Sequence, residues 1–197
     1  MSYANAAVAW LVLMASPVMA LEMPKGAQPC VACHGQHGEG TALGPALAGL
    51  SEAYLDAQIE NFISGRRSNP LMTPMAQGNA DPQQRKPVLA YFAALGDTPK
   101  LQLRGQFSNG SPAERLYYQG DLSRSIPACY SCHGPSAVGG GPFPRLAGQR
   151  AEYLAAQLLA WQKGQRKGDP DNMMGAIAGR LSAQDIQALA SYLAGIR

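Results

Sequence analysis

The chain has 197 residues, a formal charge of +3 and only 15% charged side chains, enough for one large domain or two small ones. So mild a basic balance is no footprint for nucleic acid. Beyond residue 20 no stretch approaches the roughly 20 apolar residues that a bilayer crossing needs.

In chain order, residues 6–20 (AAVAWLVLMASPVMA) come first, an apolar run ending in Val18-Met19-Ala20, an acceptable small-residue cleavage site. The run is short for a membrane span, so 1–20 reads as an export signal. Residues 2–5 carry no Lys or Arg, which keeps an uncleaved anchor as the alternative.

Next comes Cys30-Val31-Ala32-Cys33-His34, which recurs as Cys129-Tyr130-Ser131-Cys132-His133, so the two copies use every cysteine. This is the spacing of covalent c-type haem attachment: two thiols on one turn reach the two vinyl groups of a porphyrin. The adjacent histidine then sits under the iron. A lone Cys-x-x-Cys would read as a redox dithiol or half a zinc site. Two complete pentapeptides with no cysteine left over point to two haem c groups. That chemistry is carried out beyond the bacterial cytoplasm, which agrees with export to the periplasm.

After the first motif, Ser51 can cap a helix whose apolar face carries Tyr54, Leu55, Ile59, Phe62 and Ile63. Leu71-Met72-Thr73-Pro74-Met75 then reads as a loop. A last helix starts at Asp81-Pro82, where Pro87 predicts a kink or a late start. A Gly/Pro/Ser/Asn-rich linker follows at 98–110. Ser111-Pro112-Ala113-Glu114 opens a short helix before the second motif. The first unit has little room for its equivalent, which predicts a ragged entry there.

From the second motif onward the chain repeats itself. At an offset of 99, Gly35, Gly40, Pro45, Leu47, Ala48, Gly49, Tyr54, Leu55, Ala57, Gln58, Gly65 and Arg67 recur, and Phe62 is matched by Trp161. A helix from about Arg150 to Lys163, a loop with Met173 and Met174, and a helix boxed by Ser182 and Asp185 complete the second unit. The expected organisation is a signal at 1–20, an all-α domain at 21–97, the linker at 98–110 and a duplicate domain at 111–197. Residues 21–100 carry a slight negative excess and 101–197 a positive one, a modest dipole that would orient a charged redox partner. Units this small lack a large apolar core, so the apo-protein is expected to be largely unfolded or molten.

Of the three histidines, His34 and His133 belong to the motifs, and His37 is tied to the proximal side. Both irons therefore cannot be bis-histidine. Methionine is the usual partner of histidine in c-type electron carriers, so one sixth ligand is expected from Met72 or Met75 and one from Met173 or Met174. With both axial positions filled, no open site remains for substrate, and nothing suggests a nucleophile or an acid–base pair.

The doubled Cys-x-x-Cys-His-Gly, the Pro-x-Leu-Ala-Gly segments at 45–49 and 144–148, the Tyr-Leu-x-x-Gln helices and the methionine segments together resemble the diheme cytochrome c4 family. The resemblance covers nearly all of 25–197. It implies two tandem class I cytochrome c domains about a pseudo-twofold axis, with haem edges close across the interface. It selects Met174, seven residues before Leu181-Ser182, and Met72 as the earlier member of Met-x-x-Met. Domain one lacks the Leu-Ser landmark, so Met75 is kept as the alternative. It implies that the Pro45 and Pro144 carbonyls fix the imidazoles. Arg67 and Arg166 could reach the propionates, against the alternative of ordinary exposed arginines after a helix.

The function so implied is periplasmic electron transfer, not catalysis, passing electrons from a respiratory donor complex toward a terminal oxidase. Peripheral contact with a membrane is compatible with that role. The alternative is the cytochrome subunit of a flavin- or quinone-dependent dehydrogenase. A diheme peroxidase is disfavoured, because it needs an iron that can lose its distal ligand.

Overall fold

The computed structural model describes residues 21–96 and 110–196. The expected export signal and all but the last residue of the expected linker lie outside the described residues. Among those described there is no β-strand, and the fold is two tandem all-α units. The first contains α1 (Gln28–His34), α2 (Glu52–Ile63), α3 (Met72–Gln77) and α4 (Pro82–Ala94). The second contains α5 (Pro112–Gln119), α6 (Tyr130–His133), α7 (Ala151–Gln162), α8 (Met173–Ala178) and α9 (Ala183–Ala194).

Local sequence sets most of the helix starts. The Ser51 hydroxyl accepts from the Tyr54 N–H to open α2, with Glu52 at the positive end of the helix dipole. Asp81 caps α4 and Pro82 occupies its first turn. Ser182 and Asp185 close a reciprocal capping box on α9. Within the units α2 packs on α3 and α4, and α7 packs on α8 and α9.

Three local expectations need correction. The late start at Pro87 is absent: α4 begins at Pro82 and runs unbroken through Pro87. Pro87 and Gln83, whose carbonyl loses its i+4 donor, both lie on the exposed face, so that carbonyl is open to solvent. The methionine segments are short helices, not loops. The entry to domain one is not ragged either; a 3-10 turn, Lys25–Ala27, with Ala27 fully buried, leads straight into α1.

The two cores are unequal. Domain one buries Ala27, Leu50, Leu55, Val88, Leu89, Tyr91 and Phe92. Domain two has a larger set, because α5 adds Ala113, Leu116 and Tyr117. The Tyr117 hydroxyl donates to the Gly134 carbonyl at 2.6 Å, which ties α5 to the turn after the second motif.

Candidate functional site

His34 and His133 end the helices that carry the cysteines, and both are buried. The Nδ1 of His34 lies 2.8 Å from the Pro45 carbonyl oxygen, and that of His133 lies 3.0 Å from the Pro144 carbonyl oxygen. A carbonyl can only accept, so Nδ1 carries the proton and Nε2 keeps its lone pair. Burial lowers both histidine pKa values, outweighing the opposing carbonyl bonds, which favours the neutral ring that a metal requires.

The loop between histidine and proline is folded back by a glycine in each unit. The Gly40 N–H donates to the His34 carbonyl at 2.7 Å and the Gly139 N–H to the His133 carbonyl at 2.9 Å. Both have positive φ, +85° and +68°. A Cβ on Gly40 would meet the Ala46 nitrogen at 2.6 Å, and one on Gly139 would collide with the Phe143 carbonyl. Only glycine serves at either place.

All four cysteines, both histidines and Met72, Met75, Met173 and Met174 line one continuous cavity of about 1380 Å³ that spans the two units. This exceeds the roughly 300–1,000 Å³ of a single small-molecule pocket and suits two flat macrocycles. Burial pushes the Cys129 thiol up to about 11 and raises that of Cys30, the reverse of a redox dithiol or zinc-binding thiolate. Among the described residues, no group of three or more His, Cys, Asp or Glu side chains could hold a bare metal ion. Imidazole, thioether and paired thiols around an apolar cavity fit haem c.

The methionines divide by exposure. Met75 and Met173 are each 37% exposed, whereas Met72 and Met174 are half-buried. Met72 lies four residues before Ala76 and Met174 four before Ala178, and both alanines are 0% exposed. Met72 and Met174 thus share one helical face with a fully buried alanine. The 99-residue register conceals this equivalence, because it sets Met174 against Met75.

Between the two halves, matched residues interlock. The Arg67 Nη2 donates to the Tyr153 hydroxyl at 2.7 Å and to the Gln157 Oε1 at 2.9 Å. The Arg166 Nη2 returns the pattern to the Tyr54 hydroxyl at 2.9 Å and the Gln58 Oε1 at 3.0 Å. Each arginine also stacks on the aromatic ring near the end of the helix that precedes it, Phe62 at 4.5 Å and Trp161 at 4.8 Å. The arginines expected at propionates line the cavity and also form the contact between domains.

Sequence reasoning passed over Gln149. It is buried, and its side-chain amide both accepts from the Ala46 N–H and donates to the Ala46 carbonyl, each at 3.0 Å. It thereby braces, from the other domain, the peptide next to Pro45. Its repeat partner is the buried Leu50, and that polar-for-apolar exchange inside a matched segment was the available signal.

Comparison with known proteins follows the same geometry. The sequence profile described as cytochrome c matches residues 27–96 and again 115–197. The chain is 41% identical over 180 residues to a thiosulfate dehydrogenase electron acceptor of Stutzerimonas stutzeri strain A1501, covering 86% of this chain and 80% of that protein. A crystal structure of reduced cytochrome c4 from Pseudomonas stutzeri superimposes with a TM-score of 0.74 at 33% identity, covering 87% of this chain and 95% of that one. The thiosulfate dehydrogenase TsdBA of Marichromatium purpuratum also gives 0.74, at 43% identity and 84% of this chain, but this chain spans only 36% of that longer one.

Proposed function

Because the chain belongs to the cytochrome c family, with two copies of the domain in tandem, we propose that it accepts electrons from a thiosulfate-oxidising dehydrogenase in the periplasm. It carries two covalently bound haem c groups, on Cys30 and Cys33 and on Cys129 and Cys132. Its likeness is to electron acceptors and carriers rather than to a catalytic chain. The dehydrogenase-linked alternative from the sequence is therefore better supported than delivery to a terminal oxidase. The donor it points to is defined by its substrate, not by flavin or quinone.

The bound haem irons supply one-electron ferric–ferrous exchange. The protein's part is to hold them unchanged through it. His34 and His133, fixed by the Pro45 and Pro144 carbonyls, would offer Nε2 to the iron of each group. Met72 and Met174 would supply the thioether sulfurs, on the support of their burial and matched placement. The apolar cavity wall keeps water away and favours the less charged ferrous state. With a histidine and a methionine held for each group, the chain would leave no site for substrate, and a partner would need only an exposed edge of the macrocycle. Two sites sharing one cavity can take up both electrons of a dehydrogenase turnover one at a time. Among the described residues no helix is long and apolar enough to cross a membrane.

The observation that carries this reading is the near full-length identity to a thiosulfate dehydrogenase electron acceptor. The test mixes oxidised full-length holoprotein with a purified thiosulfate dehydrogenase and thiosulfate, and follows the visible haem bands. Reduction of both haems, two electrons per chain, is expected at turnover rate. If neither haem is reduced while ascorbate reduces both, the dehydrogenase reading is wrong.

A further inference from the structure

The two domains repeat closely, yet one buried location breaks the symmetry. In α9 the residues four, seven, eight and eleven past the Ser182 cap are buried and apolar: Ile186, Leu189, Ala190 and Leu193. The same four places past the Asp81 cap of α4 hold Arg85, Val88, Leu89 and Phe92. Arg85 therefore occupies the position of Ile186 and is only 3% exposed. Its partners are substituted in concert. Asp56 and Glu60 of α2 stand where α7 has Ala155 and Leu159. The Arg85 Nε bonds the Asp56 Oδ1 at 2.7 Å and its Nη2 bonds the Glu60 Oε1 at 2.5 Å.

The third contact shows what the cluster holds. The Arg85 Nη1 donates at 2.9 Å to the carbonyl of Ala80, the residue just before the α4 cap. The corresponding carbonyl in domain two, that of Leu181, is held instead by the Gln162 Nε2 at 2.9 Å. The repeat partner of Gln162 is Ile63, which has no donor. Domain one has thus lost one anchor for this carbonyl and gained another on a different helix. Ala80 is joined to the end of α3 by Gly78 and Asn79 alone. A six-residue helix is too short to hold itself together, so α3 depends on its ends. Asn69 caps one end through the Leu71 and Met72 N–H groups, at 3.0 and 2.9 Å. The Ala80 carbonyl secures the other.

We propose that Arg85, clamped by Asp56 and Glu60, is a positioning residue of the domain-one haem site, holding α3 so that Met72 stays at the cavity wall. This rests on the assignment of Met72 as an axial donor. Asp56 and Glu60 have side chains 47% and 43% exposed, while Arg85 itself forms part of the cavity wall. The clamp therefore reaches from solvent to the site, and domain two has no counterpart. The axial geometry of domain one depends on an ionic contact; that of domain two depends on a neutral amide.

The test uses full-length ferric holoprotein and reads the thioether-to-iron charge-transfer absorption and both redox couples. Arg85→Ile is expected to remove up to half of the absorption and lower one couple, with the other unmoved. Should Arg85→Ile fail to yield holoprotein, Arg85→Lys decides the matter. It keeps the charge but replaces the planar fork by one nitrogen, which cannot lie where Nε, Nη1 and Nη2 each meet Asp56, the Ala80 carbonyl and Glu60, so a weakened absorption is again expected. The combined change Asp56→Ala, Glu60→Leu, Ile63→Gln and Arg85→Ile installs the domain-two arrangement and should restore the absorption. Full absorption and unmoved couples in the deciding variant, even with a lowered melting temperature, overturn the proposal by reducing Arg85 to a structural role. Met72→Ala, run in parallel, separates the two ideas. If it loses half of the absorption while the Arg85 variant loses none, only the positioning role falls; if neither loses any, both fall.

Discussion

Arg67 and Arg166 pair as an isolated antiparallel bridge at the junction of the two repeats, and each reaches across to the tyrosine and glutamine of the opposite unit. Each is also bonded to the glutamine of its own unit, at 2.9 Å in both cases. The arrangement is self-complementary, as a twofold contact between duplicated domains demands. Six side chains form one network, so removing any one leaves partly buried partners unsatisfied.

Arg67→Leu and Arg166→Leu should each cost about 1–3 kcal/mol of stability, the range for charged hydrogen bonds. The double variant should cost less than their sum by about 0.5–3 kcal/mol, since the network is already broken by the first change. Denaturant titration of the four proteins measures this coupling, and strict additivity would show the network to be two independent contacts.

Met174→Ala should abolish the thioether-to-iron absorption of one haem and lower its potential, whereas Met173→Ala leaves both unchanged. In domain one, Met75→Ala should behave like Met173→Ala, because both side chains are the exposed members of their pairs. Near-infrared spectra and a redox titration check all three.

Gly44 packs against His34, the histidine of the first motif. A Cβ there would lie 2.8 Å from the Cys33 carbonyl and 3.0 Å from two atoms of the His34 ring. Gly44→Ala should therefore destabilise domain one by about 1–3 kcal/mol through overpacking and displace His34, shifting one redox couple only. Domain two holds Phe143 at this repeat position, its ring centroid 6.3 Å from that of His133, so the constraint is confined to the first site.

On the surface of domain two, Arg124 joins Asp121 and Asp185 at 2.6 Å each. The Ser123 hydroxyl and then Arg124 hold the Asp121 carboxyl down to about 2. A carboxylate whose folded pKa lies below its unfolded value stabilises the fold above that unfolded value, near 4. Its contribution is lost as pH falls toward 2. Arg124→Gln should raise the pH midpoint of acid unfolding, slightly because the groups are exposed; circular dichroism against pH reads it.

With haem withheld, domain one should lose its structure first. Its buried set is half that of domain two and lacks the clamp from α5 and Tyr117. Hydrogen exchange of the apo-protein should show residual protection in α5, α7 and α9 and none in α2 and α4. Equal protection of the two halves would contradict the inequality of the cores.

Much of this was legible in the sequence because it is written in local chemistry. Cys-x-x-Cys-His names its ligand group outright, caps at Ser51, Ser111 and Ser182 mark helix starts, and a repeat at constant offset announces two like domains. Pro87 misled because its cost depends on which face of α4 meets water, and that is not a local property. The methionine segments misled because their short helices are held by packing and end contacts, not by propensity.

What the sequence by itself determined is the covalent logic: two haem groups, the cysteine pair that holds each and an all-α duplicate, each fixed by residues adjacent along the chain. The tertiary structure alone decided which methionine of each pair is sheltered, that Arg67 and Arg166 bind the opposite repeat, and that Arg85 takes the place of Gln162 at one carbonyl. The reason is distance. These relationships join side chains far apart in sequence, and burial and hydrogen-bond partners at such range exist only once the helices have packed.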